Sequence, residues 1–148
     1  MLIVTPICLL TFSSMVMVEE TPHRLTLFGG LTQAEEDSSE NGATIAFAYT
    51  YRIHHPASAG GLLEYAGGDI DAWLVGLPFK VTPWAGWFLL IAPGVEIESS
   101  ETSAMFRIGT GYDFELDEKW SLAPEFYVDL SRFFGTTYVF GLAVSRSF

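Results

Sequence analysis

The chain of 148 residues carries 18 Asp and Glu against 7 Lys and Arg, a formal charge of -11. That balance excludes a sequence-independent grip on nucleic acid, which needs clustered cations, and the lone Cys8 excludes an internal disulfide or a multi-thiolate metal site. Mean hydropathy is +0.31 and aromatics make up 15% of the chain, yet no run of 18 apolar residues follows the N-terminal segment, which excludes a helical membrane span.

Residues 1–18 form an apolar run followed by Glu19-Glu20. Its Thr and Ser do not alternate with its apolar residues as a buried strand requires, so residues 1–20 read as a secretory leader, although no cation precedes the run and no A-x-A site follows it. Removal of this segment takes Cys8 with it. Residues 21–148 then form one domain, long enough for about eight strands of about ten residues.

Period-two alternation recurs along that domain, separated by turn residues. The first predicted strand covers residues 24–32, with Leu25, Leu27 and Leu31 on one face and Arg24, Thr26, Phe28 and Gly30 on the other. An acidic loop, residues 35–42, follows. The second strand sets Ile45, Phe47, Tyr49, Tyr51 and Ile53 against Ala46, Ala48, Thr50 and Arg52, and residues 54–60 form its turn. A short third strand is expected at residues 61–66. The fourth sets Trp73, Val75, Leu77, Phe79 and Val81 against Leu74, Gly76, Pro78 and Lys80.

The fifth strand, residues 87–97, blurs the pattern because Phe88 and Leu90 make its start apolar on both faces; Pro93 and Gly94 exclude a helix there. After a loop at residues 98–103, the sixth strand sets Phe106, Ile108, Tyr112 and Phe114 against Arg107, Gly109, Gly111, Asp113 and Glu115. The seventh sets Trp120, Leu122, Phe126, Val128 and Leu130 against Ser121, Ala123, Glu125, Tyr127 and Asp129. The eighth presents Tyr138, Phe140, Leu142, Val144 and the terminal Phe148 on one face.

The composition of the second face decides which face is inside. A soluble lipocalin-like barrel would carry many charges on its outer, water-facing side. Here the non-apolar face is mostly Gly, Ala, Ser and Thr, with isolated charges: Arg24, Arg52, Lys80 and Arg107 against Glu64, Glu96, Asp113, Glu115, Glu125 and Asp129. An Arg or Lys facing lipid at the midplane costs about 2–4 kcal/mol, so these ten charges belong in the lumen, paired. The expected fold is therefore all-β: an eight-stranded antiparallel up-and-down transmembrane β-barrel, its lumen filled by an ion-pair network in place of an apolar core. Trp84, Trp87, Trp120, Tyr51 and Phe148 gather at one rim, as an interfacial belt would.

The segments from Arg107-Ile-Gly109-Thr-Gly111-Tyr112 to Phe114, from Trp120 through Pro124-Glu125-Phe126, and the Phe148 terminus resemble the last strands of the small bacterial outer membrane β-barrels of the OmpA, OmpX and opacity types. By residue the resemblance covers the last third of the chain; by pattern it covers the whole domain. It implies a monomeric barrel in outer membrane lipid, contacting lipopolysaccharide, and insertion by the outer membrane assembly machinery. That machinery would read Phe148 together with Phe140, Leu142 and Val144. Arg146 departs from the pattern, which usually carries an apolar residue there.

Some barrels of this size act on lipid A, which demands Ser and His in contact near the outer leaflet. His23, His54 and His55 all fall at the opposite end from Ser131, so no catalytic residue is assigned. Adjacent His54 and His55 point to opposite sides of a strand, which disfavours a metal pair, and Gly109-Thr-Gly111 lies within a strand with no helix after it. No cofactor is expected. The loop acids Glu35, Glu36, Asp37, Glu40, Asp69, Asp71, Glu98 and Glu101 read first as a solvated face, and second as sites for divalent cations bridging to lipopolysaccharide. The expected role is structural or interactive; a lipid A-modifying enzyme, a narrow ion-conducting barrel and a soluble binder of apolar ligands are the alternatives.

Overall fold

The computed structural model describes residues 22–35, 41–132 and 135–148. The leader and Cys8 lie outside the described residues, as do Glu36, Asp37 and Glu40 of the acidic loop. Ten segments build the wall: β1 (His23–Ala34), β2 (Asn41–His54), β3 (Ala57–Ala66), β4 (Ala72–Gly76), β5 (Phe79–Val81), β6 (Trp87–Glu98), β7 (Glu101–Tyr112), β8 (Phe114–Glu115), β9 (Trp120–Ser131) and β10 (Gly135–Ser147). All pair antiparallel with their neighbours, and β10 pairs with both β9 and β1, which closes the sheet. Closure leaves no unpaired edge, so the backbone polar groups are satisfied within the wall.

The ten segments make eight staves, because β4 and β5 are one stave and β8 prolongs β7. The break at Leu77-Pro78 arises because Pro78 has no N–H to give the ladder. Leu77 N donating to Pro93 O at 2.9 Å and Gly60 N donating to Pro78 O at 3.1 Å carry the wall across it.

Several boundaries differ from the sequence-based expectation, among them the start of β2, which lies at Asn41 within the expected acidic loop. The third strand begins at Ala57, not residue 61, because the turn needs only His55-Pro56; Ala57, Ser58 and Ala59 pair with Val81, Lys80 and Phe79, although no large side chain announces them. The loop expected at residues 98–103 shrinks to Ser99-Ser100, whose φ values of 48° and 66° are those of a two-residue hairpin turn twisted to match its strands. Glu101, Thr102 and Ser103 consequently belong to β7. At the opposite end Asp117 Oδ1 caps the turn by accepting from the amides of Lys119 and Trp120 at 2.8 and 2.9 Å, and these bonds hold its carboxyl below the usual range.

Strand parity sorts the side chains. Leu27, Phe47, Leu63, Val75, Ile91, Ile108, Phe126 and Leu142 are all exposed on the outer surface, whereas their sequence neighbours Phe28, Ala46, Glu64, Leu74, Ala92, Arg107, Tyr127 and Ala143 are buried within. One rim, here called the terminal end because His23 and Phe148 meet there, carries exposed Tyr51, Trp84, Trp87, Trp120 and Phe148. The far end holds the connections after β1, β4's predecessor turn, Ser99-Ser100 and the approach to β10.

Candidate functional site: the lumen

Inward parity on β3, β7 and β9 aims Glu64, Arg107 and Asp129 at one another. Arg107 Nη1 and Nη2 donate to Glu64 at 2.7 and 2.8 Å, and Nε and Nη2 donate to Asp129 at 2.5 and 2.7 Å. The guanidinium is thus clamped bidentately from both sides, and with 1% of its surface exposed it is among the most buried side chains in the barrel. Its Cζ lies 4.8 Å from the Tyr127 ring centroid, which packs edge-on to Phe28 at 5.9 Å.

Nearer the terminal end the charges invert. Asp113 bridges two cations, accepting from Arg24 Nη2 at 2.7 Å and Lys80 Nζ at 2.8 Å, and Arg24 Nη2 also donates to Ser121 Oγ at 2.8 Å. Lys80 Nζ sits 3.8 Å over the Phe88 ring. An acid–Arg–acid group and a cation–Asp–cation group therefore stand in series, each with opposite residual charge, which favours this arrangement over the reverse stacking of like excesses. Glu125 accepts from Tyr127 Oη between them.

A lumenal cavity of about 50 Å³ separates the two groups, lined by Arg24, Glu64, Lys80, Phe88, Glu125 and Tyr127 among others. That is enough room for a few waters. Hydroxyl pairs line the wall beside the charges: Thr26 with Ser145 at 2.8 Å, Thr32 with Thr44, and Ser131 donating to Ser103 at 3.0 Å.

Of the ten charges expected inside, Arg24, Glu64, Lys80, Arg107, Asp113 and Asp129 come together in the two groups. Glu125 joins through Tyr127, Glu96 is buried near the far mouth, and Arg52 is half-buried near the terminal end. Glu115 is a correction: it is exposed, because the stave is interrupted at Asp113 and β8 lies at the rim beside the turn to β9. A second correction concerns the filling. Ions do not replace an apolar core but share the lumen with one, formed by Phe28, Ala46, Phe88, Ala123, Tyr127, Val139 and Ala143. Parity carried that signal, since Phe88 falls in step with Ala92 and Glu96, and Phe28 with Arg24 and Thr32.

Glycines opposite the large lumenal rings make this packing possible. A Cβ on Gly109 would overlap the Tyr127 ring, and one on Gly111 would meet the Phe88 ring. Gly109-Thr-Gly111 is therefore a packing device of β7.

Among the described residues the histidines and Ser131 stand apart. His23 Nδ1 is 2.6 Å from Tyr49 Oη and its ring stacks on Phe148 at 5.6 Å, His54 and His55 flank the β2–β3 turn, and Ser131 bonds Ser103 at the opposite end. The C-terminal residues Phe140, Leu142, Val144 and Phe148 all face outward; Arg146 does so too, its Cζ 5.5 Å from the Trp120 ring centroid. The chain ends are tied together, with His23 N donating to Phe148 O at 3.3 Å and Phe148 N to His23 O at 2.9 Å.

No family model and no curated protein matches the sequence. Solved structures do match its shape. The N-terminal β-barrel domain of Pseudomonas aeruginosa OprF aligns with a TM-score of 0.65 at 15% identity, over 87% of this chain and 98% of that one. Neisserial surface protein A aligns at 0.61 and 11% identity, over 85% and 96%, and a de novo designed transmembrane β-barrel at 0.57 and 11%, over 86% and 98%. The shared feature is the wall and not the residues: this chain has the fold of these transmembrane barrels, a closed eight-stranded antiparallel β-barrel.

Proposed function

We propose that the protein is a small, non-catalytic, monomeric barrel of the bacterial outer membrane, with its terminal end toward the periplasm and its acidic connections outside. The observation that carries the reading is Arg107, held by four hydrogen bonds across the lumen and 1% exposed, which leaves a cavity with room for a few waters on one side of it. Eight strands enclose just enough room for side chains, so a plugged lumen suits a structural or adhesive role better than diffusion of solutes. The exposed Trp84, Trp87 and Trp120 support the placement of their rim at a membrane interface. Asp69, Asp71, Glu98 and Glu101 at the other rim are suited to contact lipopolysaccharide through divalent cations.

Outer membrane fractions run on gels with and without boiling test the barrel, since a closed barrel resists detergent until heated. A heat-dependent change in mobility is expected, together with no steady current from the purified protein in planar bilayers. Sustained conductance would overturn the sealed reading in favour of a narrow ion path.

Assembly through the C-terminal strand is part of the same proposal. Phe148 stacks on His23 yet stays exposed, and its neighbours at alternate positions face outward, so the aromatic end of the strand is presented on the outer surface. Phe148→Ala should lower the amount of protein recovered in the outer membrane severalfold while leaving refolding of purified protein into detergent nearly unchanged. Equal recovery of variant and parent would remove Phe148 from that role.

A further inference from the structure

The far end of the lumen holds more negative charge than its cation neutralises. Arg107 spends four N–H bonds on Glu64 and Asp129, leaving one of its five donors. Glu96 lies one layer nearer the mouth. Its parity on β6 turns it inward, just below Glu98 at the turn, and the ladders set it opposite Ser103 on β7 and Leu74 on β4. The Ser131 hydroxyl at the end of β9 lies 3.0 Å from Ser103 and within reach of Glu96, its one proton serving either, and Asp129 is close enough to repel Glu96.

Glu96 is itself only 9% exposed, and its Oε2 is buried with no hydrogen-bond partner among the described residues. Glu64 and Asp129 share the Arg107 guanidinium, and Glu96 adds a further carboxylate beside that group, with one buried oxygen left over. A buried carboxylate oxygen with neither a donor nor a counter-ion is strongly disfavoured, so something outside the chain must meet it.

We propose that Glu96, with the hydroxyls of Ser103 and Ser131, binds a single small monovalent cation such as sodium at the far mouth of the lumen. Oxygen donors and a negative field from Asp129 suit a hard cation. The described residues contain no group of three Asp, Glu, His or Cys arranged to hold a metal ion, and a site of one free carboxylate with hydroxyls is matched to one positive charge rather than two. The inference rests on the fold and on the mouth of the lumen, and not on the lumen being sealed.

The test is thermal unfolding of the refolded barrel in detergent, in sodium chloride and in N-methyl-D-glucamine chloride at equal ionic strength. The parent protein should unfold about 2–4 °C higher in sodium, the shift a ligand gives when it binds only the folded state. Glu96→Gln, which keeps the shape and removes the charge, should abolish that difference, whereas Asp69→Asn on the exposed turn before β4 should retain it. No difference in the parent would mean that a proton or water meets Glu96, and a difference that survives Glu96→Gln would place the sodium effect on the surface acids; either overturns the proposal. Steady conductance in bilayers, the result that defeats the sealed reading, leaves these outcomes unaffected.

Discussion

Arg107→Ala should destabilise the barrel by about 3–5 kcal/mol, the largest loss expected from a single lumenal side chain. Glu64 and Asp129 each receive two bonds from the guanidinium and are 4% and 5% exposed, so its removal leaves two buried carboxylates facing each other without a cation. The loss reflects that exposed mismatch, not the worth of the group as a whole. Replacing all three together, Glu64→Leu, Arg107→Met and Asp129→Leu, should recover most of the stability, because apolar groups of similar volume remove the desolvation cost along with the attraction. Urea titration of folding in lipid vesicles checks both variants. An Arg107→Ala barrel within about 1 kcal/mol of the parent would show that water readily reaches the pair.

Ile108→Arg is expected to cost about 2–4 kcal/mol, and only when the barrel is in lipid. Ile108 is 48% exposed and pairs in the ladder with Ile91 and Val128, so its neighbours offer no counter-charge and no water. Arg107, one residue earlier, bears the same guanidinium at no such penalty because parity turns it inward onto two carboxylates. The contrast between adjacent positions is the cleanest measure of which face meets lipid. The same urea titration checks it, with Ile108→Leu as the control expected to be near neutral. A tolerated Arg at position 108 would place that face in water and invert the barrel's assignment.

The pattern of large and small side chains was enough to count the staves, and to name Leu27, Phe47, Ile108 and Leu142 as outward and Arg107 and Asp129 as inward. Those assignments depend only on the period-two geometry of an extended chain, which is local. Boundaries were legible where side chains mark them, as in β9, and not where they are small: Ala57-Ser58-Ala59 gives no alternation, and its strand exists because β2 and β5 present backbone partners on both sides. Likewise Glu101-Thr102-Ser103 reads as a polar loop until β6 lies beside it.

Sequence alone thus determined the class of wall, the faces of its strands and the presence of both signs of charge inside, since each follows from residue type and parity. Only the tertiary structure decided who meets whom. Arg107 and Glu64 are 43 residues apart, and Arg24 and Asp113 are 89 apart. Their encounters depend on stagger and closure around the whole sheet, properties of eight staves together that no stretch of chain contains. Closure also decided that Phe28, Phe88 and Tyr127 fill the space between the ion groups, that Glu115 falls outside at a rim, and that Glu96 is left with an oxygen that no side chain among the described residues answers.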